Sequence, residues 1–142
     1  MALVLDTDHL TILQQESQPT CARLLARIDQ HPEEILAVTI ISFQEQVQGW
    51  MAFLNQARTA AKILLAYEKL QQVLDYFCKA RVLQFDQAAL NQFEKLRKQG
   101  IRVGTMDLRM AAIVQTNDCK LLSSNLKDFR KVPGLDVSDW LH

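Results

Sequence analysis

Short apolar runs alternate along this chain with longer stretches of helical periodicity, and that alternation restricts the fold more than any other feature. Residues 2–5 read ALVL and stop at Asp6. Residues 35–41 are apolar and β-branched, 81–85 carry a third run and 119–123 a fourth. Runs this short suit buried strands rather than helices. Between them, apolar residues recur at helical spacing. A helix is expected over 8–15 and, past a break around Pro19, another over 21–29 with Leu24, Leu25 and Ile28 on one face. Phe43, Val47, Trp50 and Leu54, then Ile63, Tyr67, Leu70, Leu74 and Phe77, predict two long helices. A break near 55–58 folds them into an antiparallel pair. Asp86 reads as the N-cap of a helix through Leu90, Phe93 and Leu96, which Gly100 stops. Gly104-Thr105 opens another through Leu108, Ala111 and Ala112, and a last short strand is expected at 135–137 after the Pro133-Gly134 turn.

Strands interleaved with helices require parallel pairing, since each crossover carries the chain back to the start of the sheet. The expected fold is α/β, a three-layer α/β/α sandwich with a mainly parallel central sheet. One domain over residues 1–142 suits the length. Hydrophobic residues at 49% and charged residues at 23% belong to a chain with a packed core, which excludes a disordered segment. The net charge is zero, so a surface coated in basic residues is excluded and any nucleic-acid contact has to come from a local site. Cys21, Cys78 and Cys119 are odd in number and far apart in sequence, which argues against a disulfide framework or a structural zinc centre and for a reducing compartment. No run approaches the ~18 apolar residues of a membrane span, and no basic leader precedes an apolar stretch, so a cytoplasmic protein is expected.

In a parallel sheet, functional groups gather beyond the carboxyl ends of the strands. Asp6 follows the first run, Glu45 the second, and Asn125 and Asp128 the fourth; Asp107 stands in the first turn of the helix after Gly104. Each residue alone has a structural explanation. Asp6 suits an N-cap, Ser42 and Glu45 form a capping-box pattern, Asp107 suits a helix dipole, and Ser124 or Asn125 suits a cap with Asp128 behind it. Together they place several carboxylates at one mouth, where they would repel one another without cations. Hard oxygen ligands without clustered Cys or His suit Mg²⁺ or Mn²⁺ and a phosphodiester substrate.

The same segments resemble the PIN-domain family, in particular its small VapC-type toxins. Val4-Leu5-Asp6-Thr7-Asp8-His9-Leu10 is similar to the family's opening strand and first acid. Ile41-Ser42-Phe43-Gln44-Glu45, with Gly49 four residues on, is similar to its second acid. Gly100 to Ala112 around Asp107 resembles the third, and Leu121-Leu122-Ser123-Ser124-Asn125 with Asp128, Val132-Pro133-Gly134-Leu135 and Trp140 the close. The resemblance covers essentially the whole chain. It implies a Mg²⁺- or Mn²⁺-dependent endoribonuclease whose metal ligands or their close support are Asp6, Glu45 and Asp107, an RNA substrate, a protein antitoxin and a homodimer. Two positions depart from it. Asn125 stands where many members carry a fourth acid, leaving its own role and that of Asp128 open, and Gln46 replaces a common Leu.

Two further readings stay open. Asp6-Thr7-Asp8 after an apolar strand resembles a haloacid-dehalogenase phosphatase with Asp6 as nucleophile, although Leu10 breaks that signature. Asn125 leaves room for a PIN scaffold that binds RNA or protein without cutting. Lys95, Arg97, Lys98, Arg102 and Arg109, and after the fourth run Lys127, Arg130 and Lys131, are candidate phosphate contacts, with a solvated helix face as the plainer explanation for the first three. His9 is more often structural in such a place than a contact to metal or RNA. Trp50 and Trp140 read as core or as a dimer interface.

Overall fold

The computed structural model describes residues 2–142. Five strands form one wholly parallel sheet in the order β3-β2-β1-β4-β5. They are β1 (Ala2–Leu5), β2 (Ile35–Thr39), β3 (Val82–Leu83), β4 (Lys120–Leu122) and β5 (Val137–Ser138). Seven helices flank it: α1 (Thr7–Gln14), α2 (Pro19–Asp29), α3 (Ile40–Gln56), α4 (Ala60–Lys79), α5 (Gln87–Lys98), α6 (Thr105–Thr116) and α7 (Leu126–Phe129). The expected α/β/α sandwich is borne out. Among the described residues no helix is long and apolar enough to cross a membrane.

The two core layers follow from the strand alternation, in which successive side chains point to opposite faces. Val4, Ala37 and Leu121 enter one cluster with Phe93 and Leu96 of α5 and Ile113 of α6. Leu3, Leu5, Val38 and Leu122 enter the other with Leu10, Leu24, Val73 and Phe77 of α1, α2 and α4. Central strands buried on both faces explain why their runs read as continuously apolar.

Several boundaries move for local reasons. The second strand ends at Thr39, because the Thr39 hydroxyl accepts the Ser42 N–H at 3.3 Å and caps α3. Ile40 and Ile41 are therefore the first turn of a helix, not the end of a strand. Helix α2 begins at Pro19, whose missing N–H costs nothing at a first helical position. The predicted break in the long helical region falls at 57–59, between α3 and α4, and the two pack together as expected. Asp86 caps α5 through a 3.0 Å bond from the Ala89 N–H, and Gly100, at φ +72°, closes that helix in the left-handed region. The last strand begins two residues later than read, at Val137–Ser138.

Candidate active site

Parallel strands all present their carboxyl ends to one side. Buried polar residues collect there: Asp6 after β1, Thr39 at the end of β2, Ser42 in the first turn of α3, His9 in α1 and Ser123 after β4. A buried polar group is costly unless bonded, and each of these is bonded.

Asp6 is the N-cap of α1. Its Oδ1 accepts the His9 N–H at 2.8 Å and stands 3.2 Å from His9 Nδ1. The ring's other nitrogen, Nε2, accepts the Trp140 N–H at 3.3 Å. A nitrogen that accepts an N–H carries no proton, so Nδ1 holds it and donates to Asp6. His9 is fully buried and ties the first acid to the chain's last turns. It is thus a structural histidine, and Trp140, 6% exposed, belongs to the core.

Glu45 corrects the capping-box reading. Thr39, not Ser42, caps α3, and Glu45 lies in the second turn. Its Oε1 accepts the Thr7 Oγ1–H at 2.7 Å. Thr7 Oγ1 is also 3.0 Å from Ser42 Oγ. The Thr7 hydroxyl has one proton, and a carboxylate only accepts, so that proton goes to Glu45 and Ser42 donates to Thr7. The contact continues along both helices: Gln46 Nε2 donates to Gln14 Oε1 at 2.8 Å and reaches Thr11 Oγ1 at 3.5 Å. Positions 7, 11 and 14 of α1 fall on one helical face, which forms a polar row against α3 beside the apolar cluster that both helices share. Gln46 therefore occupies the place of an apolar residue with an amide partner. Neither Thr7 nor Gln14 stands out in the sequence, since only the helix crossing gives each its partner.

Asp107 stands in the first turn of α6. Its carboxyl is pushed up to about 6, first by burial and then by the charges of Glu45, Asp6 and Asp128; an Asn125 hydrogen bond offsets part of this. A charge raises a carboxyl only from nearby, so Glu45, Asp6 and Asp128 all lie within electrostatic reach of Asp107. Asn125 does not cap α7 with its side chain. Its amide donates instead to Asp128 Oδ2 at 3.1 Å and to Asp107 Oδ2 at 3.4 Å, while its backbone N–H bonds Ser123 Oγ at 3.0 Å. Asp128 also meets Lys131 at 3.2 Å. The bonds from Asn125 and Lys131, in that order, hold its carboxyl below the ordinary carboxylate range.

Among the described residues, no group of three or more His, Cys, Asp or Glu side chains is set to hold a metal ion as it stands. Burial first, and the neighbouring carboxylates after it, hold the Asp107 carboxyl above its ordinary range. The donor set is carboxylate and amide oxygen without thiol or imidazole, which fits a hard divalent cation.

No family model matches the chain. It is similar to a ribonuclease VapC1 of Haemophilus influenzae strain R2866, 24% identical over 140 residues, covering 99% of this chain and 98% of that one. A 28% match over 85 residues, 57% of this chain and 64% of the other, links it to a tRNA(fMet)-specific endonuclease VapC of Salmonella typhimurium. The VapBC-1 structure from nontypeable Haemophilus influenzae superposes over the whole of both chains with a TM-score of 0.77 at 20% identity. The chain shares the PIN-like fold of these VapC structures. The resemblance read from the motifs is borne out in fold and along the full length of the chain. In this sheet the first two acids follow β1 and β2, and Asn125 and Asp128 follow β4. Asp8, the second acid that a phosphatase would need, is exposed.

Of the basic candidates, Arg97 and Arg109 lie over the Phe93 ring at 5.5 and 5.4 Å, and Lys131 is held by Asp128 and the Arg102 carbonyl. Lys95, Lys98 and Lys127 are exposed.

Proposed function

We propose that this chain is a divalent-metal-dependent endoribonuclease, the toxin of a toxin-antitoxin pair, acting in the cytoplasm as one domain over residues 1–142. The observation that carries the reading is the placement of Glu45, Asp6 and Asp128 within electrostatic reach of Asp107, whose carboxyl is pushed to about 6 first by burial and then by their charges. Such a cluster at the mouth of a parallel sheet costs stability, and a cation recovers it. Asp6, Glu45 and Asp107 would hold Mg²⁺ or Mn²⁺, with Asp128 at the rim and Asn125 bridging between Asp107 and Asp128. When bound, the ion supplies positive charge that polarises the scissile phosphate and lowers the cost of an attacking water.

The chain's own residues orient this arrangement. Thr7 fixes Glu45 by one oxygen. His9 fixes Asp6 by Oδ1; among the described residues no hydrogen bond falls on Oδ2. Asn125 adds donor hydrogens where a fourth acid would add charge, so it lowers repulsion and weakens the hold on a second ion. The relatives' names support RNA as substrate, and the VapBC complexes support a protein antitoxin; a homodimer is part of the same reading.

The test is cleavage of a mixed RNA pool with Mn²⁺, Mg²⁺ or EDTA, beside Asp6→Ala and Asp107→Asn. Metal-dependent cutting that both variants lose is the expected result. Full activity in either variant would overturn the site assignment, and no cutting under any metal would favour a binding scaffold.

A further inference from the structure

The net charge of zero conceals a strongly basic pocket outside the carboxylate cluster. A cavity of about 650 Å³ beside the edge strand β5 is lined by Arg27, His31, Lys120, Arg130 and His142, with Asp139 as its one acid. Asp139 is already committed. Burial raises its carboxyl, but the Leu141 N–H, the His142 ring and the Ser124 hydroxyl outweigh that and hold it low. His142 Nδ1 lies 3.0 Å from its Oδ2. Lys120 keeps a loose 3.9 Å contact with Asp136. The guanidinium groups of Arg27 and Arg130 remain as the principal charges.

The pocket is also shaped in advance. Arg27 lies over the Trp140 ring at 5.1 Å, and His31 stacks against that ring at 4.7 Å while its Nδ1 contacts the Arg27 carbonyl at 2.9 Å. Trp140 is itself pinned by its N–H to His9 Nε2, whose ring holds Asp6. Helix α7 joins the two regions. Asn125 and Asp128 belong to the acidic site, and Leu126 and Arg130 line the basic pocket. An acidic mouth repels a polyanion, so a phosphodiester chain reaching it needs cationic contacts nearby.

We propose that this pocket binds the phosphate backbone of single-stranded RNA beside the cleavage site, with Arg27 and Arg130 as its principal contacts. The inference rests on the nuclease reading for its purpose, but binding can be measured without cutting. Guanidinium groups suit phosphate through paired donors, and each phosphate contact on a single strand contributes a salt dependence of roughly 0.7 in the slope of log K against log salt.

The experiment is fluorescence anisotropy of a short labelled single-stranded RNA with the full chain in EDTA, from roughly 50 to 200 mM salt. The variants are Arg130→Glu alone and Arg27→Gln with Arg130→Glu, each checked for an unchanged melting temperature. The double variant is expected to bind about tenfold more weakly at the low-salt end, with a slope shallower by about 1.4. Arg130 is exposed, so its single variant keeps the test valid if replacing Arg27 loosens Trp140; its slope is expected to be shallower by about 0.7. Wild-type affinity and slope in both variants overturn the proposal, as does failure of the wild type to bind RNA at low salt. Loss of affinity for poly-glutamate with RNA binding intact would overturn it in favour of an acidic protein segment. A wild type that cuts with Mn²⁺ while the variants bind normally sinks this inference alone. RNA binding that depends on the pocket, in a chain that never cuts, sinks the nuclease reading alone.

Discussion

Replacing Asp107 by Asn is expected to stabilise the metal-free protein, and the structure sets the size and the pH window. The carboxyl titrates at about 6 in the folded chain against an ordinary value of 3.8. At ~1.4 kcal/mol for each tenfold change in proton affinity, the penalty for holding it ionised is at most about 3 kcal/mol. Water reaches this half-buried group, and screening reduces the figure to about 1–2 kcal/mol. The folded state binds the proton more tightly than the unfolded state, so stability falls as pH rises from 3.8 to about 6 and stays reduced above it. Asparagine carries no such charge. Its gain is therefore absent below pH 3.8, grows through the window and is complete above about 6. For a chain of this size the gain corresponds to roughly 3–6 °C in Tm. Thermal unfolding by circular dichroism in EDTA, from acid to neutral pH, measures it. A variant less stable than wild type at neutral pH would refute the reasoning, and so would a gain of equal size under acid. Added Mn²⁺ should reverse the order, because a ligand that binds only the folded wild type raises its stability.

Asp6→Ala has the opposite sign in EDTA. It removes the α1 cap and leaves His9 Nδ1 without its acceptor, so a loss of about 1–3 kcal/mol is expected in urea unfolding. Thr7→Val keeps the shape of the side chain but frees Glu45 Oε1. Cleavage should fall about 10- to 100-fold with KM for RNA little changed, Mn²⁺ affinity measured by calorimetry should weaken, and Thr7→Ser should restore both. Asn125→Asp replaces two donated hydrogen bonds with a further negative charge. The metal-free protein should lose about 1 kcal/mol while its Mn²⁺ affinity rises, and an unchanged affinity would show that this position stands outside the ion's reach.

The alternation of short apolar runs with helical periods determined the class of fold, because a helix between two strands carries the chain back to pair them in parallel. It also determined where to look, since strand ends in a parallel sheet share one side. The cap at Asp86 and the stop at Gly100 were legible because both act within a few residues of themselves. The second strand was read two residues too long, since Ile40 and Ile41 have strand chemistry and only the Thr39 hydroxyl, turned onto the Ser42 N–H, starts the helix there. Glu45 was legible as an acid after a strand but not in its partner, because Thr7 lies 38 residues away and meets it only when α1 crosses α3. His9 was legible as a structural histidine but not in its partner, because Trp140, 131 residues on, delivers its N–H to the ring only in the folded chain. The basic pocket is the extreme case. Arg27, Lys120 and Arg130 are scattered in a chain of zero net charge, and only the packing of α7 on the edge strand and of Arg27 on Trp140 gathers them. Local propensity and hydrophobic period are written in neighbouring residues, whereas hydrogen-bond partners and charge clusters exist only where the folded chain brings distant residues together.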